Sequence, residues 1–151
     1  MNIVTAARRL VALGPRGWTR VAHTAVVAAR IERSLAAEQL DQTARRFGAG
    51  LALSAPPDAA APLALSHEEH KQLAIAARVL ECAPLDGTCL RRALVFADIL
   101  RDRAPLLRVG VAKESGEVTA HAWLELDGAS LDPMALEHFT VLRSVDLEVT
   151  K

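Results

Sequence analysis

The fold is decided by residues 118–132, which read VTAHAWLELDGASLD. The run alternates in polarity on both sides of Asp127-Gly128, and this dipeptide is a strong signal for a two-residue hairpin turn. Counting outward from that turn places Trp123 opposite Asp132. Because side chains alternate along a strand, His121 shares a face with both, and Asp132 stands diagonally across from it, within reach of a carboxylate–imidazole hydrogen bond.

Two capped helices precede the hairpin. Ser66 followed by Glu69 is a capping box, and it predicts a helix that ends near residue 81. Thr88 is a candidate N-cap for a second helix over residues 89–103. Apolar residues recur at helical spacing along both segments, so each helix is expected to bury one face.

Strands replace helices in the second half of the chain. Residues 107–111 alternate in polarity as a strand before the hairpin, and residues 136–149 predict a further strand. Helices followed by an antiparallel sheet indicate an α+β fold.

The N-terminal third is predicted to be helical and separate from this core. Residues 1–53 read as helix as far as Phe47, with a break over residues 14–17, Gly-Pro-Arg-Gly. A linker rich in proline and alanine is predicted over residues 54–65. The core domain is then expected to occupy residues 66–151.

Composition excludes several classes of protein. Hydrophobic residues make up 51% of the 151 residues, which excludes a chain that is disordered throughout. Acidic and basic residues balance and aromatic residues are only 3%, so we expect no nucleic-acid partner. No apolar stretch approaches the length of a membrane span, and two cysteines are too few for a disulfide framework. We therefore expect a cytoplasmic protein that uses no cofactor.

Charge is divided unevenly along the chain. Residues 1–50 contain eight arginines and three acidic residues. A solvated helix face explains such a surplus, and so does a surface that docks a partner or rests near a membrane. The basic face of residues 8–46 is the candidate docking surface, and charge reversal at Arg30 and Arg33 is expected to weaken it.

Cys89 is the candidate nucleophile. It lies in the predicted first turn of a helix, where the helix dipole and free backbone N–H groups favour a thiolate. A cysteine at such a place is also common as a small packed hydrophobe. If its helix packs on the His121 face, then Cys89, His121 and Asp132 form a nucleophile, a base and an orienting acid. Trp123 either forms a wall of this site and contacts substrate or belongs to the core.

The ordered set of motifs in residues 66–140 resembles the transglutaminase-like core, and more closely the stand-alone leader peptidases of lasso-peptide biosynthesis. The motifs are Cys89-Leu90-Arg91-Arg92-Ala93-Leu94, the helix end at Arg101-Asp102-Arg103, the strand LRVGV at 107–111, the run from His121 to Gly128, and Leu131-Asp132-Pro133.

The resemblance implies a papain-like core with an N-terminal helical extension and a Cys-His-Asp triad at Cys89, His121 and Asp132. It implies a cysteine endopeptidase that cuts the leader from a ribosomally made lasso-peptide precursor. The leader region of the precursor is then the substrate. A separate leader-recognition protein is the expected partner, and the lasso cyclase is a further candidate.

Alternatives to this interpretation remain at the level of sequence. The same core suits an amidase or a transglutaminase-type acyl transferase, and it also suits a non-catalytic scaffold that binds peptides. His67 and His70, three residues apart on a helix, suit one metal ion, but no further ligand at a suitable spacing accompanies them, so we expect no metal site. Cys82 is expected to be buried by packing rather than to form a redox pair.

Overall fold

The computed structural model describes residues 14–53, 63–82, 87–114, 117–132 and 139–141. Apart from one strand of two residues, helices occupy the first part of this described chain and strands the second, and the predicted α+β class is confirmed. The helices are α1 (Gly14–Ala37), α2 (Leu40–Arg46), α3 (His67–Leu80) and α4 (Cys89–Ile99), followed by a short 3-10 turn at Arg101–Arg103. The strands are β1 (Gly50–Leu51), β2 (Leu106–Glu114), β3 (Glu117–Leu126), β4 (Ala129–Ser130) and β5 (Thr140–Val141).

The central pair of the sheet is β2 with β3, which run antiparallel in register from Leu106↔Glu125 to Glu114↔Glu117. The predicted hairpin is present, because Leu126 pairs with Ala129 across the turn. Asp127 and Gly128 have φ angles of 52° and 79°, which is the left-handed backbone that a two-residue hairpin turn requires.

The short strands complete the sheet at its edges. The strand order is β1-β2-β3-β4, and β5 pairs with β2 on the β1 side, so that Val141 lies opposite Gly110. Residues 140–141 are the described part of the strand that was predicted over 136–149, whose other residues, apart from Phe139, lie outside the described chain.

Side-chain caps begin the two helices of the core. The Ser66 hydroxyl accepts a hydrogen bond from the Glu69 backbone at 3.2 Å, and the Glu69 carboxylate accepts one from the Ser66 backbone at 2.6 Å. This is the predicted capping box, and it starts α3. Thr88 caps α4 by accepting from the backbone N–H of Arg91 at 3.4 Å. Pro105, which has no backbone N–H, follows the 3-10 turn at the end of α4.

Two features of the N-terminal part differ from the expectation. The helix predicted to run to Phe47 is interrupted between α1 and α2, where Gln39 adopts an extended backbone (φ −71°, ψ 151°). The break turns α2 so that Ala44 and Phe47 are buried, which one straight helix does not achieve. The chain then forms β1, which pairs in parallel with β2 and was not predicted. A strand of two residues is too short to show a period of its own.

The main hydrophobic core lies between the helices and one face of the sheet. Ile31 of α1 and Leu94 of α4 are fully buried there, and Ala122 and Leu124 of β3 are buried beside them. The ion pair between Arg91 and Glu32, at 2.6 Å, ties α4 to α1 at the rim of this core.

The division into a helical region, a linker and a core stays a prediction. Residues 54–62 of the predicted linker lie outside the described chain. Among the residues that the structure describes, no helix is both long and apolar enough to cross a membrane.

Candidate active site

Cys89 is the first residue of α4 and is partly exposed. Because Thr88 takes the N-cap position, the sulfur sits at the positive end of the helix dipole. The backbone N–H of the first helical residue has no acceptor within its own helix. It can therefore donate to an oxygen atom held beside the sulfur.

His121 and Asp132 are joined by the hydrogen bond that the hairpin register predicted. His121 Nε2 lies 2.9 Å from Asp132 Oδ2. A carboxylate accepts hydrogen bonds, so this contact places the ring proton on Nε2 and leaves Nδ1 as the nitrogen that exchanges a proton with another group. Leu131 donates to the carbonyl of Leu124 at 2.9 Å, which extends the hairpin pairing almost to Asp132.

Ser130 holds Asp132 in place, and the sequence analysis missed it. Its hydroxyl donates to the Asp132 carbonyl at 2.7 Å and accepts from the Asp132 backbone N–H at 3.0 Å. A serine two residues before an acidic residue at a strand end is the local signal that could have indicated this role.

Two aromatic rings flank His121. The ring centroids of His121 and Trp123 are 6.0 Å apart in a stacked arrangement, and those of His121 and Phe139 are 4.9 Å apart. Gly110 lies opposite His121 on β2. A Cβ atom at Gly110 would lie 2.9 Å from the Trp123 ring and 3.0 Å from the Phe139 Cβ, so a larger residue here would displace Trp123 or Phe139. The glycine within the LRVGV strand was the available sequence signal.

A buried ion pair supports the same face of the sheet. Arg108 donates to Glu125 through two nitrogens, at 2.9 and 3.2 Å, and their side chains are only 3% and 7% exposed. Trp123 lies opposite Arg108 in the register and is itself 2% exposed. These neighbours fix the strand segment that carries His121.

The structure brings all four predicted site residues to one cavity. Its volume is about 450 Å³, and Cys89, His121, Trp123 and Asp132 line it. Trp123 is buried and also forms part of the cavity wall. The lining also includes Arg92 of α4, which the sequence analysis did not single out as a site residue.

The way α4 approaches the sheet differs from the expectation. We expected α4 to pack on the His121 face of β3, but the β3 side chains that share the core with α4 are Ala122 and Leu124, which belong to the opposite face. The cavity is lined by residues of both faces. The lining also includes Leu131 and Asp132, the two residues that follow β4.

The remaining candidates from the sequence lie away from this cavity. Cys82 is exposed, so the expectation that packing buries it is wrong; its sulfur donates to the Arg78 carbonyl at 3.3 Å. His70 contacts the Ser66 carbonyl at 3.2 Å. Within the described residues, no group of three or more His, Cys, Asp or Glu side chains is placed to hold a metal ion.

Shifted pKa values occur at the N-terminal cap of α3. The backbone N–H and then the hydroxyl of Ser66 hydrogen-bond the Glu69 carboxylate and lower its pKa, and Arg103 adds to the effect. The hydrogen bond to Asp127, and then that to Glu69, raise the pKa of Arg103. Arg103 therefore ties the start of α3 to the hairpin turn.

The chemistry available to the site is transfer of an acyl group. A thiol at a helix N-terminus, an imidazole oriented by a carboxylate and a free backbone N–H are the parts that covalent acyl transfer needs. The model of one protein family, the transglutaminase-like superfamily, matches residues 3–144. The chain belongs to the transglutaminase-like superfamily. No curated protein and no solved structure matches the chain significantly.

Membership of the transglutaminase-like superfamily fits both the fold and the site. Proteins of this superfamily are typically cysteine proteases or acyltransferases, and they usually depend on a cysteine. The family match begins at residue 3, so it includes the N-terminal helical region as well as the cavity.

Proposed function

We propose that this protein is a cysteine endopeptidase that removes the leader from a ribosomally made lasso-peptide precursor. Cys89, His121 and Asp132 are its catalytic residues, and Trp123 contacts the substrate. The observation that supports this most is the cavity in which Cys89, at a helix N-terminus, shares the lining with a hydrogen-bonded His121–Asp132 pair. The specific substrate is inferred from the motif resemblance.

The proposed reaction follows from the atoms in the cavity. The Cys89 sulfur attacks the scissile carbonyl carbon, and the carbonyl oxygen takes the negative charge beside the Cys89 backbone N–H. His121 gives a proton from Nδ1 to the leaving amine, the C–N bond breaks, and an acyl-enzyme remains. A water molecule then loses a proton to Nδ1 and attacks the acyl carbon, which releases the leader as a free acid and restores the thiolate.

Asp132 orients the base in this scheme. Its carboxylate holds Nε2–H at 2.9 Å, so Nδ1 is the nitrogen that receives and returns the proton. The carboxylate also stabilises the positive charge of the imidazolium that forms during the reaction.

A separate leader-recognition protein is the proposed partner, and the lasso cyclase is a second one. The proposed contact surface is the basic face of residues 8–46. Arg30 and Arg33 are exposed on α1, and within the described residues neither forms an ion pair. Because the precursor is made on ribosomes, the proposed location of the reaction is the cytoplasm.

Mass spectrometry of a lasso precursor peptide, incubated with this protein and a leader-recognition protein, tests the proposal. We expect a leader fragment with a free carboxyl terminus from the wild type and none from Cys89→Ala. Cys82→Ala is the matched control, because it removes the exposed thiol that lies outside the cavity, and it should cleave as the wild type does.

The same assay separates the alternative reactions. A crosslinked product in which an amine has replaced water would indicate an acyl transferase instead. An intact precursor in every reaction, together with equal iodoacetamide labelling rates at Cys89 and Cys82, would contradict a catalytic role and favour the scaffold.

A further inference from the structure

Arg92 is a charged residue that lines the cavity, and the proposed mechanism gives it no role. Among the described residues, two formally charged side chains line the cavity, Arg92 and Asp132, and Asp132 is already bound to His121. Arg92 is exposed, and within the described residues its guanidinium forms no ion pair or hydrogen bond. The neighbouring Arg91 instead binds Glu32 on α1.

Arg92 lies close to the proposed nucleophile. It follows Cys89 by three positions on α4, and residues three apart on a helix are neighbours on one face, with Cβ atoms about 5–6 Å apart. The guanidinium group presents paired N–H donors in a fork that matches the two oxygens of a carboxylate. From this position the long arginine side chain can reach substrate residues that lie one or two positions from the scissile peptide bond at the Cys89 sulfur.

We propose that Arg92 is a substrate-binding residue that recognises an acidic side chain of the peptide near the scissile bond. The inference rests on the proposed function in one respect only, the position of Cys89 as the attacking atom. It names a substrate class, a peptide with Asp or Glu next to or one residue away from the bond that is cut. With an uncharged peptide of the same shape, the Arg92 guanidinium has only water to hydrogen-bond, so this peptide should bind with lower affinity.

The test compares two alkylating reagents that differ in charge. Iodoacetate carries a carboxylate and iodoacetamide carries a neutral amide. With either reagent, the thiolate sulfur displaces iodide from the CH₂ carbon and forms a thioether. Any change in the amount of thiolate affects both rates equally, so the ratio of the two rate constants isolates recognition of the carboxylate. Cys82, which is exposed and outside the cavity, is the reference thiol in the same molecule.

In the wild type we expect a higher iodoacetate-to-iodoacetamide ratio at Cys89 than at Cys82. Arg92→Gln should lower the Cys89 ratio by roughly three- to tenfold, which corresponds to the loss of one charge-assisted contact that is open to solvent. Arg92→Lys keeps the charge without the fork and should retain part of the preference. Arg91→Gln makes the same change in net charge one residue away and should leave the Cys89 ratio unchanged.

A Cys89 ratio that does not fall in Arg92→Gln, or one that falls equally in Arg91→Gln, overturns the proposal. The result is independent of peptidase activity, since alkylation needs no precursor and no partner. Failure of Arg92 to select carboxylates is thus distinct from failure to cleave a lasso precursor.

A second measurement decides whether the carboxylate comes from a side chain or from a chain end. Acetyl-Glu-Gly amide and acetyl-Gln-Gly with a free carboxyl terminus carry the same single charge in nearly the same volume. We expect the first peptide to protect Cys89 from iodoacetamide more strongly than the second, and to lose that advantage in Arg92→Gln. Equal protection, no protection by either, or stronger protection by the free terminus would show that recognition of an acidic side chain is wrong.

Discussion

Replacing either Arg108 or Glu125 of the buried ion pair should destabilise the protein strongly. Replacing both residues with apolar ones should cost much less. The two side chains are 3% and 7% exposed, and they share two hydrogen bonds of 2.9 and 3.2 Å. Glu125→Gln takes the carboxylate partner away from a buried guanidinium, and Arg108→Met takes the guanidinium partner away from a buried carboxylate. Removing one partner of a buried ion pair costs about 3–5 kcal/mol of unfolding free energy.

The corresponding change in melting temperature is large enough to measure easily. A chain of about this size loses about 2–4 °C per kcal/mol, so each single variant should melt about 6–20 °C below the wild type. The double variant Arg108→Met with Glu125→Leu removes both charges of the pair and keeps apolar volume between the strands. It should recover most of the loss, which gives a coupling free energy of about 3 kcal/mol or more between the two positions.

Thermal and urea unfolding followed by circular dichroism provide the four stabilities of this cycle. Glu68→Gln is the control, because it removes a carboxylate that pairs with Arg20 at the surface, and it should melt close to the wild type. The reasoning is refuted if both single variants melt within about 2 °C of the wild type, or if the double variant is as unstable as the two losses added together.

Three further predictions concern the site and the α3 cap. Gly110→Ala should lower the free energy of unfolding by about 1–3 kcal/mol and reduce cleavage, because the added Cβ displaces Trp123 or Phe139 beside His121. In the control Gly50→Ala, the added Cβ meets the end of a leucine side chain at 3.2 Å, so the loss of stability should be smaller. Equal losses in the two variants would contradict the prediction. Peptidase activity should fall in the order wild type, Asp132→Asn, Asp132→Ala, with the alanine variant slower by about 10²-fold or more in kcat, and full activity of Asp132→Ala would exclude the orienting role. The pKa of Glu69 is lowered in the folded protein, so its ionised carboxylate stabilises the fold above the ordinary pKa near 4.5, and this stabilisation is lost as the pH falls through the lower folded value. Glu69→Gln should therefore be less stable than the wild type in urea unfolding at neutral pH, and the difference should close in acid. A difference in stability that is constant with pH would contradict the cap.

The parts of the structure that sequence predicted well are those governed by neighbours in the chain. Asp127-Gly128 specifies a turn with two left-handed residues, and that turn fixes the register that brings Asp132 to His121, eleven residues away. Ser66 and Thr88 begin helices because their side chains satisfy backbone N–H groups within one turn. In each case the interaction that selects the structure joins residues close in sequence.

The parts that sequence did not predict depend on contacts between distant segments. β1 forms because Gly50 and Leu51 pair with β2, which lies more than fifty residues later in the chain. The arrival of Phe139 beside His121 depends on β5 pairing with the far edge of β2. No local period or turn signal carries that information, since the same residues are compatible with a loop.

The two faces of β3 have different neighbours, which explains why α4 does not pack on the expected face although Cys89, His121 and Asp132 line one cavity. Alternation commits Ala122 and Leu124 to the core and leaves His121 and Trp123 on the other face, so a helix that packs tightly on β3 cannot also cover His121. The cavity is lined by residues of both faces of β3 and by Leu131 and Asp132, which follow β4. A thiol at the start of α4 therefore shares this cavity with His121, although α4 itself packs on the opposite face. The proposed site thus depends on the hairpin register being kept beyond β4, because that register brings Asp132 to His121.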